Sequence, residues 1–192
     1  MMALRACALC AACSVLAVCG CEQKKQEPVE VVGKDATKEI KAVLGKEGGE
    51  LRFEGGAKLE IPAGILREEV AVYFKQEEPS FDLAGKDFVG RAYRISPHLS
   101  FNPGFAKLHV PLDRQLPGMP EDVELKLYYF GKKVAKGPSG DSFVHEWIPV
   151  PVQKFIGFSQ DQKQLIFAIF ETISDRTTKA PYGLLQAAYN MR

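Results

Sequence analysis

From Gly49 onward, apolar and polar residues alternate with a period of two, the period at which successive strand side chains point to opposite faces. Leu51 and Phe53 alternate with Glu50, Arg52 and Glu54, and Gly55-Gly56 supplies a turn. Ala57, Leu59 and Ile61 then alternate with Lys58 and Glu60 until Pro62 ends the run. Val70, Val72 and Phe74 oppose Glu69, Ala71, Tyr73 and Lys75, while Ala106, Leu108, Val110 and Leu112 oppose Lys107 and His109. Val123, Leu125, Leu127 and Tyr129 oppose Glu124, Lys126, Tyr128 and Phe130. Further short strands are predicted over 88–95, 143–149, 164–171 and 182–188. Turn residues such as Pro97, Pro103-Gly104, Pro117-Gly118, Gly137-Pro138 and Pro181 fill the gaps. Clean alternation with frequent turns predicts an all-β fold, an antiparallel β-sandwich of about 8–10 short strands, with a barrel as the other closure. Trp147 is expected to anchor the core, because indole buries a large area.

The chain before Gly48 reads differently. Residues 22–34, EQKKQEPVEVVGK, are rich in Glu, Lys and Gln, a composition that buries too little apolar surface to offset its ordering entropy. An amphipathic turn is predicted from Asp35 as N-cap to Gly45 as C-cap, bringing Ile40, Val43 and Leu44 together. Residues 21–47 are therefore expected to form a flexible tether ahead of a domain spanning 48–192. Fully extended, the stretch from Cys21 to Gly48 reaches on the order of 90 Å.

All five cysteines, Cys7, Cys10, Cys13, Cys19 and Cys21, lie at the N-terminal end. Their spacing admits a metal or redox reading, but the context is that of a secretory signal. Arg5 is the only charge before Glu22, and residues 6–20 are small and apolar. That run is shorter than the roughly 20 residues a membrane-spanning helix needs. Its end, Val18-Cys19-Gly20-Cys21-Glu22, resembles the bacterial lipobox. The resemblance implies cleavage between Gly20 and Cys21, with residues 1–20 removed and lipid (palmitate among the acyl chains) attached to Cys21; Cys19 in the middle position departs from the usual pattern. Each buried methylene contributes about 0.8 kcal/mol, so several acyl chains hold a protein to a bilayer. Cleavage would remove Arg5 from the 25 basic side chains, matching the remainder to 24 acidic ones. The domain itself has no cysteine, so its stability is expected to come from its core.

Composition adds only exclusions. The 192 residues carry a net charge of +1, which offers no field for nucleic acid, and 46% hydrophobic content suits a folded domain.

The order of the features within the domain is more informative. Gly48-Gly49 opens a strand, and Gly55-Gly56 leads into Lys58-Leu59-Glu60-Ile61-Pro62-Ala63-Gly64-Ile65-Leu66. Val89-Gly90-Arg91-Ala92-Tyr93-Arg94-Ile95-Ser96-Pro97 and Leu99-Ser100-Phe101-Asn102-Pro103 follow, then Tyr128-Tyr129 and Trp147-Ile148-Pro149-Val150-Pro151. This order resembles the ZU5-type β-sandwich, bacterial secreted and lipoprotein versions included, over roughly residues 48–185. The resemblance implies a β-sandwich whose relatives serve mainly as scaffolding and interaction modules. Some relatives cut themselves within a His-Phe-Ser motif. Here Phe158-Ser159 follows Gly157, and Thr172-Ile173-Ser174 lacks both His and Phe, so each serine is without the histidine that would activate it.

Other chemistry is sparse. His98, His109 and His145 show no metal-ligand spacing, and His109, beside Lys107 on an outward face, is expected to be exposed. The acidic pairs Glu68-Glu69, Glu77-Glu78 and Glu121-Asp122 lack a calcium-loop pattern, and Gly137-Pro138-Ser139-Gly140 reads as a turn, not a nucleophile elbow. No catalytic residue, metal ligand or cofactor is expected beyond the lipid on Cys21. Tyr73, Tyr128 and Phe130 point away from the aliphatic face and form the candidate binding surface, for a protein partner or a sugar. The expected protein is thus a non-enzymatic interaction module, lipid-anchored in the bacterial envelope. Glu22 after the anchor points to the outer membrane of a double-membraned cell. The alternatives are a carbohydrate- or peptidoglycan-binding module and, behind it, a self-processing domain or degenerate enzyme.

Overall fold

A computed structural model describes residues 27–34, 39–78, 87–101, 103–116, 123–137, 140–150, 154–172 and 184–191. The strands are β1 (Val29–Gly33), β2 (Glu39–Leu44), β3 (Gly49–Phe53), β4 (Lys58–Ile61), β5 (Val70–Glu77) and β6 (Asp87–Ser96). After them come β7 (Ala106–Pro111), β8 (Val123–Gly137), β9 (Gly140–Pro149), β10 (Lys154–Phe158), β11 (Gln164–Ile169) and β12 (Leu184–Met191). They form two six-stranded sheets, ordered β1-β3-β4-β7-β11-β10 and β2-β5-β6-β12-β8-β9. All pairings are antiparallel except β1 with β3. The fold is all-β, two layers of sheet, and the described residues contain no helix.

Alternation builds the core. Leu51, Phe53, Leu59, Leu108 and Leu165 of the first sheet and Val72 and Phe74 of the second are fully buried between the layers. Phe74 bridges them, its ring centroid 5.3 Å from Phe53 and 5.6 Å from Tyr93. Leu66, after the Pro62–Gly64 turn, is buried against this core with Ile65 packed beside it.

Two expectations for the N-terminal part are corrected. Residues 29–33, read as tether, form β1, paired in parallel with β3. Residues 39–44, read as part of a helical turn, form β2, antiparallel to β5. The segment Glu39–Leu44 carries both periods: Ile40, Val43 and Leu44 suit a helix, whereas Ile40, Ala42 and Leu44 suit a strand. Pairing with β5 selects the second, burying Ile40, Ala42 and Leu44 and leaving Val43 54% exposed. A third strand absent from the sequence reading, β10, forms a bulged hairpin with β11.

The Gly48-Gly49 pair has a steric reason. Gly48 has φ +70°, and a Cβ there would lie 2.2 Å from the Ile61 carbonyl oxygen. A Cβ on Gly49 would lie 2.5 Å from the Val29 carbonyl oxygen, so this pair lets β1, β3 and the end of β4 meet.

Candidate functional site

The residues singled out in the sequence do not come together. Gly20, Cys21, Ser174 and the side chain of His145 lie outside the described residues. Tyr73, on the outer face of β5, is partly buried, with Lys41 Nζ 5.1 Å from its ring centroid. Tyr128 and Phe130 lie three strands away on β8. Further along β5 from Tyr73, Lys75 lies 2.9 Å from Glu77, which Arg94 of β6 meets at 3.2 Å. Burial opposes ionisation of Glu77, but hydrogen bonds from Lys75 and Arg94 outweigh it and hold the carboxyl below its usual range.

The exposed aromatic surface expected at Tyr128 and Phe130 is corrected as well. Both point to the outer face, as the alternation predicts, yet they are only 3% and 7% exposed. The small side chains Ala92 and Ala188 leave space on β6 and β12, and neighbouring rings fill it. Trp147 packs 5.2 Å from Phe88 and 5.6 Å from Phe130, and Phe88 reaches Tyr128 at 6.0 Å. Trp147 is an anchor, but of this second cluster on the outer face, not of the core between the sheets. A sugar-stacking platform needs open ring faces, and these rings face one another.

Ser159 closes the β10–β11 hairpin. Its hydroxyl donates to Asp161 Oδ1 at 2.6 Å and accepts from the Gln164 amide at 3.0 Å. The Ser159 hydrogen bond heads the causes that hold the Asp161 carboxyl low. Thr172 is fully buried and has a similar structural part: its hydroxyl donates to the Pro97 carbonyl at 2.9 Å and accepts from the Leu99 amide at 2.6 Å. His98 sits on this knot, Nδ1 2.5 Å from the Thr172 carbonyl oxygen and Nε2 2.9 Å from Glu171 Oε1. Among the described residues no three His, Cys, Asp or Glu side chains gather as a metal site requires.

The outer face of the first sheet carries a pattern that reading the strands singly missed. Register places Glu30, Glu50 and Glu60 directly opposite one another across β1, β3 and β4, ending at Lys107 on β7. The adjacent row runs Val32, Arg52, Lys58, His109. Like charges thus stand side by side along each row, and diagonal contacts join the rows: Arg52 to Glu30 at 2.9 Å and Lys58 to Glu50 at 3.0 Å. Lys58 also approaches Glu60 at 3.5 Å, and Lys107 meets Glu60 at 2.7 Å. Burial opposes ionisation of Glu60, but Lys107, by hydrogen bond and charge, with Lys58 and His109 keeps its pKa lowered.

His109, expected to be exposed, is 8% exposed. It does face outward, but β7 is an interior strand, and Lys58 and Glu60 on β4 and β11 on the other side cover the ring. Its Nε2 is buried without a hydrogen-bond partner, 3.5 Å from Glu60 Oε2. Burial and then the Lys58 charge depress its pKa, with Glu60 acting in the opposite sense.

Among the described residues both sheets end, on one side of the molecule, in strands paired on a single edge: β1 in one, β2 in the other. These edges lie together, since a Cβ on Gly33 would meet Ile40 Cγ1 at 2.5 Å. Of the five large apolar side chains exposed among the described residues, Val29 (38%), Val32 (50%) and Val43 (54%) belong to these two strands, while Ile156 (48%) lies on β10 and Phe170 (36%) follows β11. Beside β1 opens a cleft of about 370 Å³ whose apolar lining includes Val29, Ile61 and Pro62. Its charged lining is Glu30, Glu47, Glu50 and Glu60, with no basic residue among the lining groups.

No protein-family model matches the chain, and no curated protein matches it. Among the described residues the molecule is defined by its architecture, a two-sheet β-sandwich in which each sheet ends in two strands paired on one side only.

Proposed function

We propose that this protein is an envelope-anchored, non-enzymatic interaction module: a ZU5-type β-sandwich held to the membrane by lipid on Cys21, engaging its partner through the β1/β2 side. The observation that supports this reading is the group of exposed valines on two adjacent edge strands, while Tyr128 and Phe130, two of the three candidate binding aromatics, are packed against Trp147 and Phe88. Edge strands offer unpaired backbone donors and acceptors, which proteins either block or use for recognition. Because β1 belongs to the sandwich, the path from Cys21 to Val29 spans under about 30 Å fully extended. A partner for this edge would therefore be a component of the same membrane or lie close to it.

The reading is tested on the full chain expressed in a bacterial host. Intact mass is expected to show loss of residues 1–20 with added acyl mass, abolished by Cys21→Ala. A photo-reactive residue at Val32 or Val43 is expected to give a defined cross-linked adduct in the envelope, and one at Asp161 in the far hairpin none. A product without lipid overturns the anchor, and equal labelling at all three positions overturns the edge.

A further inference from the structure

The two charge rows of the first sheet do not end alike, and that difference specifies a ligand. At the β7 side the acidic row Glu30-Glu50-Glu60 is terminated by Lys107, 2.7 Å from Glu60. At the β1 side it stops at Glu30, which accepts from Arg52 of the adjoining row at 2.9 Å yet has no cation opposite it in its own row; its side chain is 58% exposed, on a strand with no neighbour beyond it among the described residues. The basic row Arg52-Lys58 stops one strand earlier, at the exposed apolar Val32. A strand added alongside β1 would place side chains two residues apart opposite Glu30 and Val32, because same-face residues recur every second position. Directly opposed side chains on neighbouring strands have Cβ atoms about 4.5–5.5 Å apart, within reach of an ion pair or an apolar contact.

We infer that the free edge of β1 accepts an extended segment of a partner protein carrying Lys or Arg opposite Glu30 and an apolar residue opposite Val32, a basic-x-apolar pattern. The cation terminates the acidic row at this end as Lys107 does at the other. Main-chain hydrogen bonds along β1 supply affinity, and the two side-chain positions supply selectivity. The adjoining cleft adds to the selectivity. Glu47, which takes part in none of the ion pairs of the rows, lines it together with the apolar Val29 and Ile61, suiting the long stem and charged head of a second Lys or Arg. An acidic segment would instead place carboxylates against Glu30 and Glu47, which selects against it.

This inference deepens the proposed interaction edge and rests on it, but not on the lipid anchor. The test uses the purified full chain in detergent and two capped heptapeptides, Thr-Lys-Thr-Lys-Thr-Val-Thr, whose first Lys falls beside Pro28 at the cleft when the second stands opposite Glu30, and its counterpart with Glu in place of both Lys, titrated by calorimetry. The basic peptide is expected to bind at least tenfold more tightly, and Glu30→Lys to reverse that preference. Glu47→Lys should weaken the basic peptide several-fold while leaving the thermal midpoint unchanged. Equal affinity for both peptides, an unchanged preference in Glu30→Lys, or binding of neither peptide to a folded protein would overturn the inference. Labelling from Val32 in the envelope without peptide binding would sink this ligand chemistry and leave the edge reading standing. Peptide binding by a protein that carries no lipid would do the reverse, removing the anchor alone.

Discussion

His109 Nε2 and Glu60 Oε2 face each other at 3.5 Å across the β4–β7 pair, and the histidine nitrogen is buried without a hydrogen bond. Two groups of opposite formal charge so placed would ordinarily attract and favour the imidazolium. Here burial dominates and Lys58 reinforces it, so the ring is held below its ordinary 6.5. Burial on the outer face of the first sheet thus favours the neutral ring.

The sign of the pH effect follows. A histidine with a depressed folded pKa contributes stability that is complete above the unfolded value of 6.5 and lost as pH falls below it toward the folded value. Glu60, also lowered, acts in the same sense further down: its contribution is present above 4.5 and lost as pH falls through the folded pKa. Urea melts at pH 7.5, 6.5 and 5.5 are expected to show declining stability, and His109→Gln should flatten that decline. A carbon-bound imidazole proton signal of His109 that titrates above 6.5 would refute the account.

The outer aromatic cluster predicts a stability phenotype where an exposed surface would give none. Phe130→Ala removes a ring packed on Trp147 and is expected to cost about 3 kcal/mol or more. Tyr73→Ala, at a partly exposed site under Lys41, is expected to cost less than about 1 kcal/mol. Chemical denaturation compares the two, and equal, small losses would mean that Phe130 is not packed as described.

Gly48→Ala addresses the N-terminal strands. The new Cβ would approach the Ile61 carbonyl oxygen at 2.2 Å in a backbone conformation that disfavours L side chains, so a loss of about 2 kcal/mol or more is expected. Gly140→Ala is the control, having positive φ but open space around it. If both substitutions cost the same, backbone conformation alone matters and the close approach does not.

Thr172→Val keeps the shape of a fully buried side chain but deletes the hydroxyl that accepts from the Leu99 amide and donates to the Pro97 carbonyl. Leaving a buried amide unpaired is expected to cost about 2 kcal/mol. Amide exchange at Leu99 should accelerate more than exchange in the β8–β12 pair, and uniform acceleration would indicate a global effect instead.

Much of this architecture was legible residue by residue. Wherever a strand has one face in the core, alternation is imposed locally, so Leu51-Phe53, Leu59-Ile61, Val72-Phe74, Leu108-Val110 and Leu125-Leu127 announce their strands and their inward faces. β1 and β10 are not announced locally because they are short edge strands with weaker alternation, Val29-Glu30-Val31-Val32 and Lys154-Phe155-Ile156-Gly157. The candidate site was less legible. Alternation assigned Tyr128, Phe130 and His109 correctly to outer faces but could not tell whether those faces were open, because that depends on residues brought alongside from distant parts of the chain.

What the sequence determined alone is the period-two pattern and the turns, which follow from the geometry of a single chain; the glycine pair at 48–49 is legible as residues, but the reason for it lies in the strands that meet there. It also bounds the chemistry, through near-neutral charge and cysteines confined to the N-terminal end. Only the tertiary structure decided that Glu39–Leu44 is a strand, because its two compatible periods are separated by pairing with β5 and by nothing within the segment. Only tertiary register set Glu30, Glu50 and Glu60 in one row and left its end open at β1, because these residues come from three strands. Burial on the outer faces was decided the same way. Alternation fixes the direction in which a side chain points, and the neighbouring strands fix what it meets there.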